Sequence, residues 1–259
     1  MPRLDRLLAR TLGASRKEVT LLLRKQRVRL ADGQCPRDGA LAIDTASLPC
    51  EVWLDGEAVM LRDRFHLLLN KPAGHVTALK DREHPIAASL VQDAPLFEDL
   101  RAVGRLDKDT TGLLLWTTDG QLLHRLTHPR AGVPRTYQAA LARPPSPVPG
   151  DFVLDDGHRP TIVALAALSE AERHPALICP PETATLATIT IVGGAYHEVR
   201  RIFAALGSHV LGLCRVAYGP IALPPDLADG AWLALESLPD LFPLKPPVSG
   251  TAPPADTEA

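Results

Sequence analysis

Aromatic side chains make up only 4% of this 259-residue chain, and cysteine occurs four times. Cys35, Cys50, Cys179 and Cys214 stand apart from one another. They form no CxxC pair and no Cys/His cluster with zinc spacing, so they read as reduced thiols and no metal centre is expected. No run of about 18 apolar residues occurs, so no membrane span is expected. The start, MPRLDRLLAR, carries charges throughout and has no separate apolar block, which makes it a poor secretory signal. These absences point to a cytoplasmic protein. No internal repeat is visible.

What is present is a composition able to build a core. The chain is 46% hydrophobic and 22% charged, and its length suits one large domain or two to three small ones. The net charge of −2 conceals an asymmetry. Residues 1–30 hold nine basic side chains (Arg3, Arg6, Arg10, Arg16, Lys17, Arg24, Lys25, Arg27, Arg29) against Asp5 and Glu18. Nine less two is +7, which leaves −9 on the rest. A compact basic module on an acidic body is an electrostatic footprint for phosphate. The blander alternative is a solvated, arginine-rich helix face.

Leu4, Leu7, Leu8 and Leu12 recur at helical spacing before Gly13, which predicts a first helix. Ser15 and Glu18 form a capping box that starts a second. Its apolar stripe is Val19, Leu22 and Leu23, while Arg16, Thr20 and Arg24 share the other face. VRLADGQ then predicts a strand entering a hairpin turn at Asp32-Gly33. RLDRLLARTLGASRKEVTLLLRKQRVRL resembles the S4 RNA-binding domain. The resemblance makes Arg3, Arg16, Lys17, Arg24 and Arg27 the candidate phosphate contacts. One departure stands out: the family usually has a glycine near Gln26 or Arg27.

After a connector near residues 59 to 64, LLLN predicts a short buried strand, and Lys71-Pro72 with Gly74 a turn. Asp119 is placed to cap a helix over QLLHRLTH. RTYQAALARP alternates like a strand, PPSPVPG breaks the chain, and TATLATITIV is β-rich. Val199, Ile202, Phe203 and Leu206 give HEVRRIFAALG one apolar face, ended by Gly207. HVLGLCRVAYG returns to strand. KPPVSGTAPPADTEA has little to bury, and a disordered tail is expected over 243–259.

The densest polar stretch is GRLDKDTTGLLLWTTDG, residues 104–120. Loop aspartates usually cap helices or bond their own backbone. Here Arg105 and Asp107 are i and i+2, so on extended chain both face one cleft. A glycine precedes them, and Gly112 opens a rigid apolar run. That arrangement exposes a carboxylate on a firm support, as nucleophilic chemistry requires. The cluster His197-Glu-Val-Arg200-Arg201 sits at a helix start and offers a counter-charge.

GRLDKDTTGLLLWTTDG resembles the signature of pseudouridine synthases. LNKPAGHVT resembles their first motif, RTYQAAL the segment with an active-site tyrosine, and GGAYHEVRRIFAALGSHVLGLCRVAYG their third motif. Four motifs in this order behind an S4-like segment resemble the RsuA-type branch, which modifies ribosomal RNA; the likeness covers about residues 2 to 240. It implies that Asp107 is the catalytic aspartate and that Arg105 occupies the space of the extruded nucleotide. It implies further that Tyr137 stacks on the target uracil, Arg200 ion-pairs with Asp107 in a shielded cleft, Leu213 packs near the base, and Lys71 with Pro72 shapes the site. Asp109 matches a variable position and is expected to be a surface or capping residue. Glu198, Trp116 and Thr118 depart from the usual residues. No cofactor is implied, which fits the lack of a glycine-rich phosphate loop. Whether the aspartate attacks the sugar or removes a sugar proton stays open.

The implied fold is α+β: an S4-like domain over 1–60 and a catalytic domain over 61–242 on a mixed, mainly antiparallel sheet with flanking helices. The implied partner is ribosomal RNA, in a pre-ribosomal particle, bound by a monomer. DREHP and TTDGQLLHRLTHPR look most like the branch acting on 16S rRNA, with a 23S enzyme as the alternative. A noncatalytic S4-type binding protein has no need of Asp107, Arg105, Tyr137 and Arg200 together. A glycoside hydrolase would use paired carboxylates, but nothing else here supports a sugar cleft.

Overall fold

The computed structural model describes residues 1–235 and 238, so the tail from 243 lies outside the described residues. Helices α1 (Leu4–Leu12) and α2 (Arg16–Arg24) open the chain. Gly13 ends α1 at φ 60°, and Ser15 and Glu18 form the capping box of α2, as the spacing predicts. Strands β1 (Val28–Leu30), β2 (Cys50–Leu54) and β3 (Glu57–Leu61) form a three-stranded antiparallel sheet. Leu4, Leu7, Leu8, Val19, Leu23, Val28, Val52 and Leu61 bury a core of their own. Two nine-residue helices are too short to persist alone in water, and this shared burial holds them.

Asp32-Gly33 makes a tight turn, with Gly33 N donating to Leu30 O, but it closes no hairpin. β1 instead pairs with β2, Val28 opposite Leu54. The hairpin turn is Asp55-Gly56, between β2 and β3, where both residues take positive φ (53° and 91°). That is the geometry a two-residue loop needs to follow the strand twist. The expected connector at 59 to 64 is corrected likewise, because Val59–Leu61 belong to β3.

The larger body is a mixed sheet. Its strands are β4 (His66–Lys71), β5 (Arg101–Ala102), β6 (Thr110–Thr117), β7 (Pro134–Leu141), β8 (Thr161–Ala167), β9 (Thr185–Val192), β10 (Val210–Tyr218), β11 (Ile221–Ala222) and β12 (Trp232–Ala234). The main order is β12-β4-β6-β10-β7-β9-β8, with β5 on β6 and β11 on β10. Among the described residues only the β6–β10 strand pair is parallel, so the sheet is mainly antiparallel. β4 and β6 are buried on both faces: Leu67 and Leu69 enter one cluster, Leu68 the other. Helix α3 (Gly120–Thr127), capped by Asp119, covers one face with Leu122 and Leu126. Helix α4 (Glu198–Ala205) covers the other with Val199, Ile202 and Phe203. Each such side chain contributes about 1.5–3 kcal/mol on burial.

Gly112 fixes how close β6 comes to β10. Its φ is 98°, and a Cβ there would lie 2.4 Å from the Arg215 carbonyl oxygen. Only glycine fits, and the close approach sets the loop before β6 against the strand that carries Leu213 and Arg215.

Candidate active site

The loop before β6 is tied down at Leu106, Asp107 and Lys108. Thr77 Oγ1 donates to Leu106 O and accepts from Leu106 N (2.9 and 3.1 Å). Gly74 N donates to Lys108 O at 2.8 Å, and Thr110 N donates to Asp107 O at 3.1 Å. Beneath the loop runs Lys71, 0% exposed. Its Nζ donates to Thr110 O (2.8 Å), Pro72 O (2.9 Å) and Lys108 O (3.3 Å). Burial lowers the Lys71 pKa from 10.5 to about 8, and the nearby Asp109 and Asp107 oppose that fall. The LNKPAGHVT segment is thus the scaffold of the loop. Lys71 itself does not line the cleft; it shapes the site from below rather than touching a bound molecule.

Above the loop opens a cleft of about 650 Å³. Arg105, Asp107, Tyr137, Arg200 and Leu213 all line it. Arg105 is exposed and Leu106 buried, so the alternation along 105–107 turns Arg105 and Asp107 the same way. Tyr137 on β7 and Leu213 on β10 form an apolar floor, 8% and 4% exposed.

The charge pairing differs from the expected one. Arg200 Nη2 donates to Asp109 Oδ2 at 2.8 Å, not to Asp107. Asp107 instead faces His197, whose Nε2 lies 3.6 Å from Oδ1, near enough for an ion pair once the ring is protonated. The Asp107 side chain is 34% exposed, so the cleft is open to water. The cause is the turn at Asp107–Thr110, which sends two carboxylates two residues apart to different partners. Asp109 caps nothing; it lies on the surface and receives Arg200.

Several lining residues were not foreseen. Arg215 is 2% exposed; its Nε donates to Leu113 O (2.8 Å), and its guanidinium lies 5.3 Å from the Tyr218 ring centre. Arg135 covers the same ring at 5.2 Å. Glu198, 4% exposed, accepts from Ala195 N (3.0 Å) and meets His158 Nε2 (2.8 Å). That buried carboxylate fastens the loop before α4 to the segment around His158, instead of reaching out toward a ligand. The four arginines of the lining (Arg105, Arg135, Arg200, Arg215) outnumber its two carboxylates, Asp107 and Glu198. A cation-rich cleft in a protein of net charge −2 is fitted to an anion.

Together, the sheet and cleft set an aromatic ring and four arginines beside a carboxylate on a fixed loop. Comparison with known proteins narrows this. The family model described as RNA pseudouridylate synthase matches residues 65–205. A ribosomal small subunit pseudouridine synthase A of Escherichia coli (strain K12) is 36% identical over 235 residues, 90% of this chain and 96% of that relative. An uncharacterized RNA pseudouridine synthase of Bacillus subtilis (strain 168) is 35% identical over 241 residues, covering 90% and 94%. A solved structure described as a pseudouridylate synthase superposes with a TM-score of 0.53 at 30% identity, covering 91% of this chain and 96% of that one. The chain belongs to the RNA pseudouridylate synthase family.

Proposed function

We propose that this enzyme converts one uridine of small-subunit (16S) ribosomal RNA to pseudouridine, with Asp107 as its catalytic carboxylate. The observation that carries the reading is the loop of Asp107, fixed from below by Lys71, Gly74 and Thr77. The names of relatives 36% identical over nine-tenths of the chain support the small-subunit substrate.

Isomerisation breaks the C1′–N1 bond, turns the uracil and joins C5 to C1′. The C5 proton leaves and N1 gains one, so no redox partner or group donor is needed. A stacked uridine cannot do this, so it must be flipped out. Arg105, exposed beside Asp107, takes the space the nucleotide leaves. Tyr137 presents a ring to the uracil over Leu213. Asp107 acts on the ribose, either at C1′ or by taking a sugar proton. Arg200 fixes the strand beside it.

The N-terminal module docks the RNA in this reading, as an S4-like domain over about residues 1–60. Arg16, Lys17 and Arg24 are exposed on α2, and among the described residues none sits in an ion pair. Arg3 and Arg27 have intramolecular partners, Asp5 (2.9 Å) and Asp55 (Arg27 Nε to Oδ1, 2.8 Å), so they contribute less. The enzyme acts as a cytoplasmic monomer on a pre-ribosomal particle.

Tritium release from C5 of uridine-labelled 16S rRNA, free or in an assembly intermediate, tests the assignment. Asp107→Asn keeps the size of the side chain and removes its charge. It should abolish release while RNA affinity stays near normal. An active Asp107→Asn enzyme would remove Asp107 from the chemistry. Release from 23S rather than 16S rRNA would move the substrate to the large subunit.

A further inference from the structure

The loop between β9 and α4 carries Tyr196, which is 78% exposed. Single exposed apolar groups are common and need no explanation. Tyr196 is different because its ring is held. It stacks on His197 with centroids 3.8 Å apart and planes within 17°. His197 has φ 50°, a costly conformation for a residue with a Cβ, and its Nε2 lies 3.6 Å from Asp107. The base of the loop is firm as well. Gly193 passes so close over the buried Glu198 carboxylate that a Cβ would come within 2.8 Å of both oxygens, and Ala195 N donates to it. A rigid loop therefore presents an aromatic face to solvent, one side chain away from Asp107.

We propose that Tyr196 is a stacking step for the base of a nucleotide adjacent to the target uridine, with His197 as its backing ring. The inference rests on the reading that the cleft takes a flipped uridine from RNA. Extruding one nucleotide unstacks its neighbours, and an aromatic face restores the lost stacking for one of them. The occupant is a nucleobase because the cleft that His197 lines also carries Arg105 and Arg200, which suit the phosphates on either side of it. Stacking tolerates any base, so Tyr196 supplies affinity and strand direction, not sequence choice.

The probe is a short RNA hairpin of 16S rRNA that holds the target uridine, located by mapping pseudouridine in cells with and without the protein. It is made intact and with an abasic nucleotide on the 5′ or the 3′ side of that uridine. Wild type, Tyr196→Phe and Tyr196→Ala are compared by Kd, and by KM and kcat for tritium release. Tyr196→Ala should raise Kd and KM about tenfold on the intact hairpin, with a smaller change in kcat, and Tyr196→Phe should stay near wild type. One abasic position should cost the wild type about the same factor and cost Tyr196→Ala almost nothing more, which names the side. An unchanged Kd in Tyr196→Ala, or equal losses in both proteins at both abasic positions, overturns the proposal. Conversion by the wild type is scored separately, so failure of the isomerase reading and failure of the stacking step are told apart.

Discussion

In the N-terminal module Arg16, Lys17 and Arg24 stand in water on one helix, whereas in the sheet Lys71 and Arg215 are 0% and 2% exposed. The first set touches little of the protein. The second set is spent on backbone: Lys71 on three carbonyls, Arg215 on Leu113 O. An exposed cation stays available to phosphate and is nearly neutral for folding. A buried cation costs several kcal/mol to desolvate unless it is bonded, so it is kept where a loop must be held in one place. In the proposed reading the two regions divide RNA handling into capture by loose charge and chemistry on a fixed frame. Substitutions should act on affinity in one and on rate and stability in the other.

The sharpest way to break this division is Lys71→Met. The change keeps the stem and takes the amine away from the carbonyls of Pro72 and Thr110, while Lys108 O keeps Gly74 N as its donor. Each buried orphan costs about 1–3 kcal/mol, so the core should lose several kcal/mol in urea unfolding. Activity should fall at least about a hundredfold while Kd for RNA changes little, because the loop of Asp107 is no longer held to the needed precision. The pH dependence has a definite sign. The folded pKa of about 8 lies below the unfolded 10.5, so burying the charged amine opposes folding below pH 8. That penalty fades as pH rises through 8 toward 10.5. The stability of wild type relative to Lys71→Met should therefore improve from pH 7 to pH 10, by up to about 3 kcal/mol. A flat difference would mean that the amine is not charged and buried at neutral pH.

A second test concerns Asp109, on the border between the two kinds of charge. Its pair with Arg200 is 68% exposed on the aspartate side, so it contributes under about 1 kcal/mol to stability. Its effect should be on the reaction. Asp109→Asn should lower kcat about tenfold by freeing Arg200, and adding Arg200→Gln should cost much less than a second independent loss. Full activity in Asp109→Asn would return Asp109 to the bland surface role that its sequence position suggests.

The exchange of partners, Arg200 on Asp109 and His197 on Asp107, shows what the sequence could and could not disclose. Features set within a few residues were legible: the α2 capping box, Gly13 after α1, the apolar stripe of α4, and the shared orientation of Arg105 and Asp107. Features set by distant chain were not. Nothing near Lys71 says that carbonyls 37 and 39 residues away converge on its amine. Lysines are almost always exposed, so burial was the less natural expectation. Asp32-Gly33 and Asp55-Gly56 look alike as turn signals. Only the pairing of β1 with β2 across 19 intervening residues decides which one closes a hairpin. His197 lay in the basic cluster recognised as a counter-charge, but its selection over Arg200 depends on the turn at 107–110.

Removing the exposed charges of α2 should have a smaller effect on rate. Arg16→Ala, Lys17→Ala and Arg24→Ala together should weaken RNA binding at moderate salt, and kcat should change little at saturating RNA. The slope of log K against log salt should fall by roughly 2 to 3, since each lost phosphate contact takes with it about 0.7–0.9 of counterion release. Arg3→Ala and Arg27→Ala should each move the slope less, because those guanidinium groups face Asp5 and Asp55. An unchanged slope in the triple variant would place docking elsewhere and dissolve the contrast between the modules.

The smallest expected effect concerns backbone. Gln26 follows α2 at φ 54°, near the place where the S4 resemblance implies a glycine, at Gln26 or Arg27. A residue with a Cβ in that region is strained by about 1 kcal/mol or more, and glycine is not. Gln26→Gly also frees the unfolded chain, which takes back part of the gain. It removes one exposed bond as well, from Arg37 Nη2 to Gln26 Oε1 at 3.2 Å, of small value in water. The net should be about 0.5 kcal/mol in favour of the variant, read as a slightly higher urea midpoint for residues 1–61 by amide exchange. Exchange from the buried strands β4 and β6 should not change, since nothing in their core touches Gln26. A loss of stability would mean that the Arg37 bond, not the backbone, sets the conformation here.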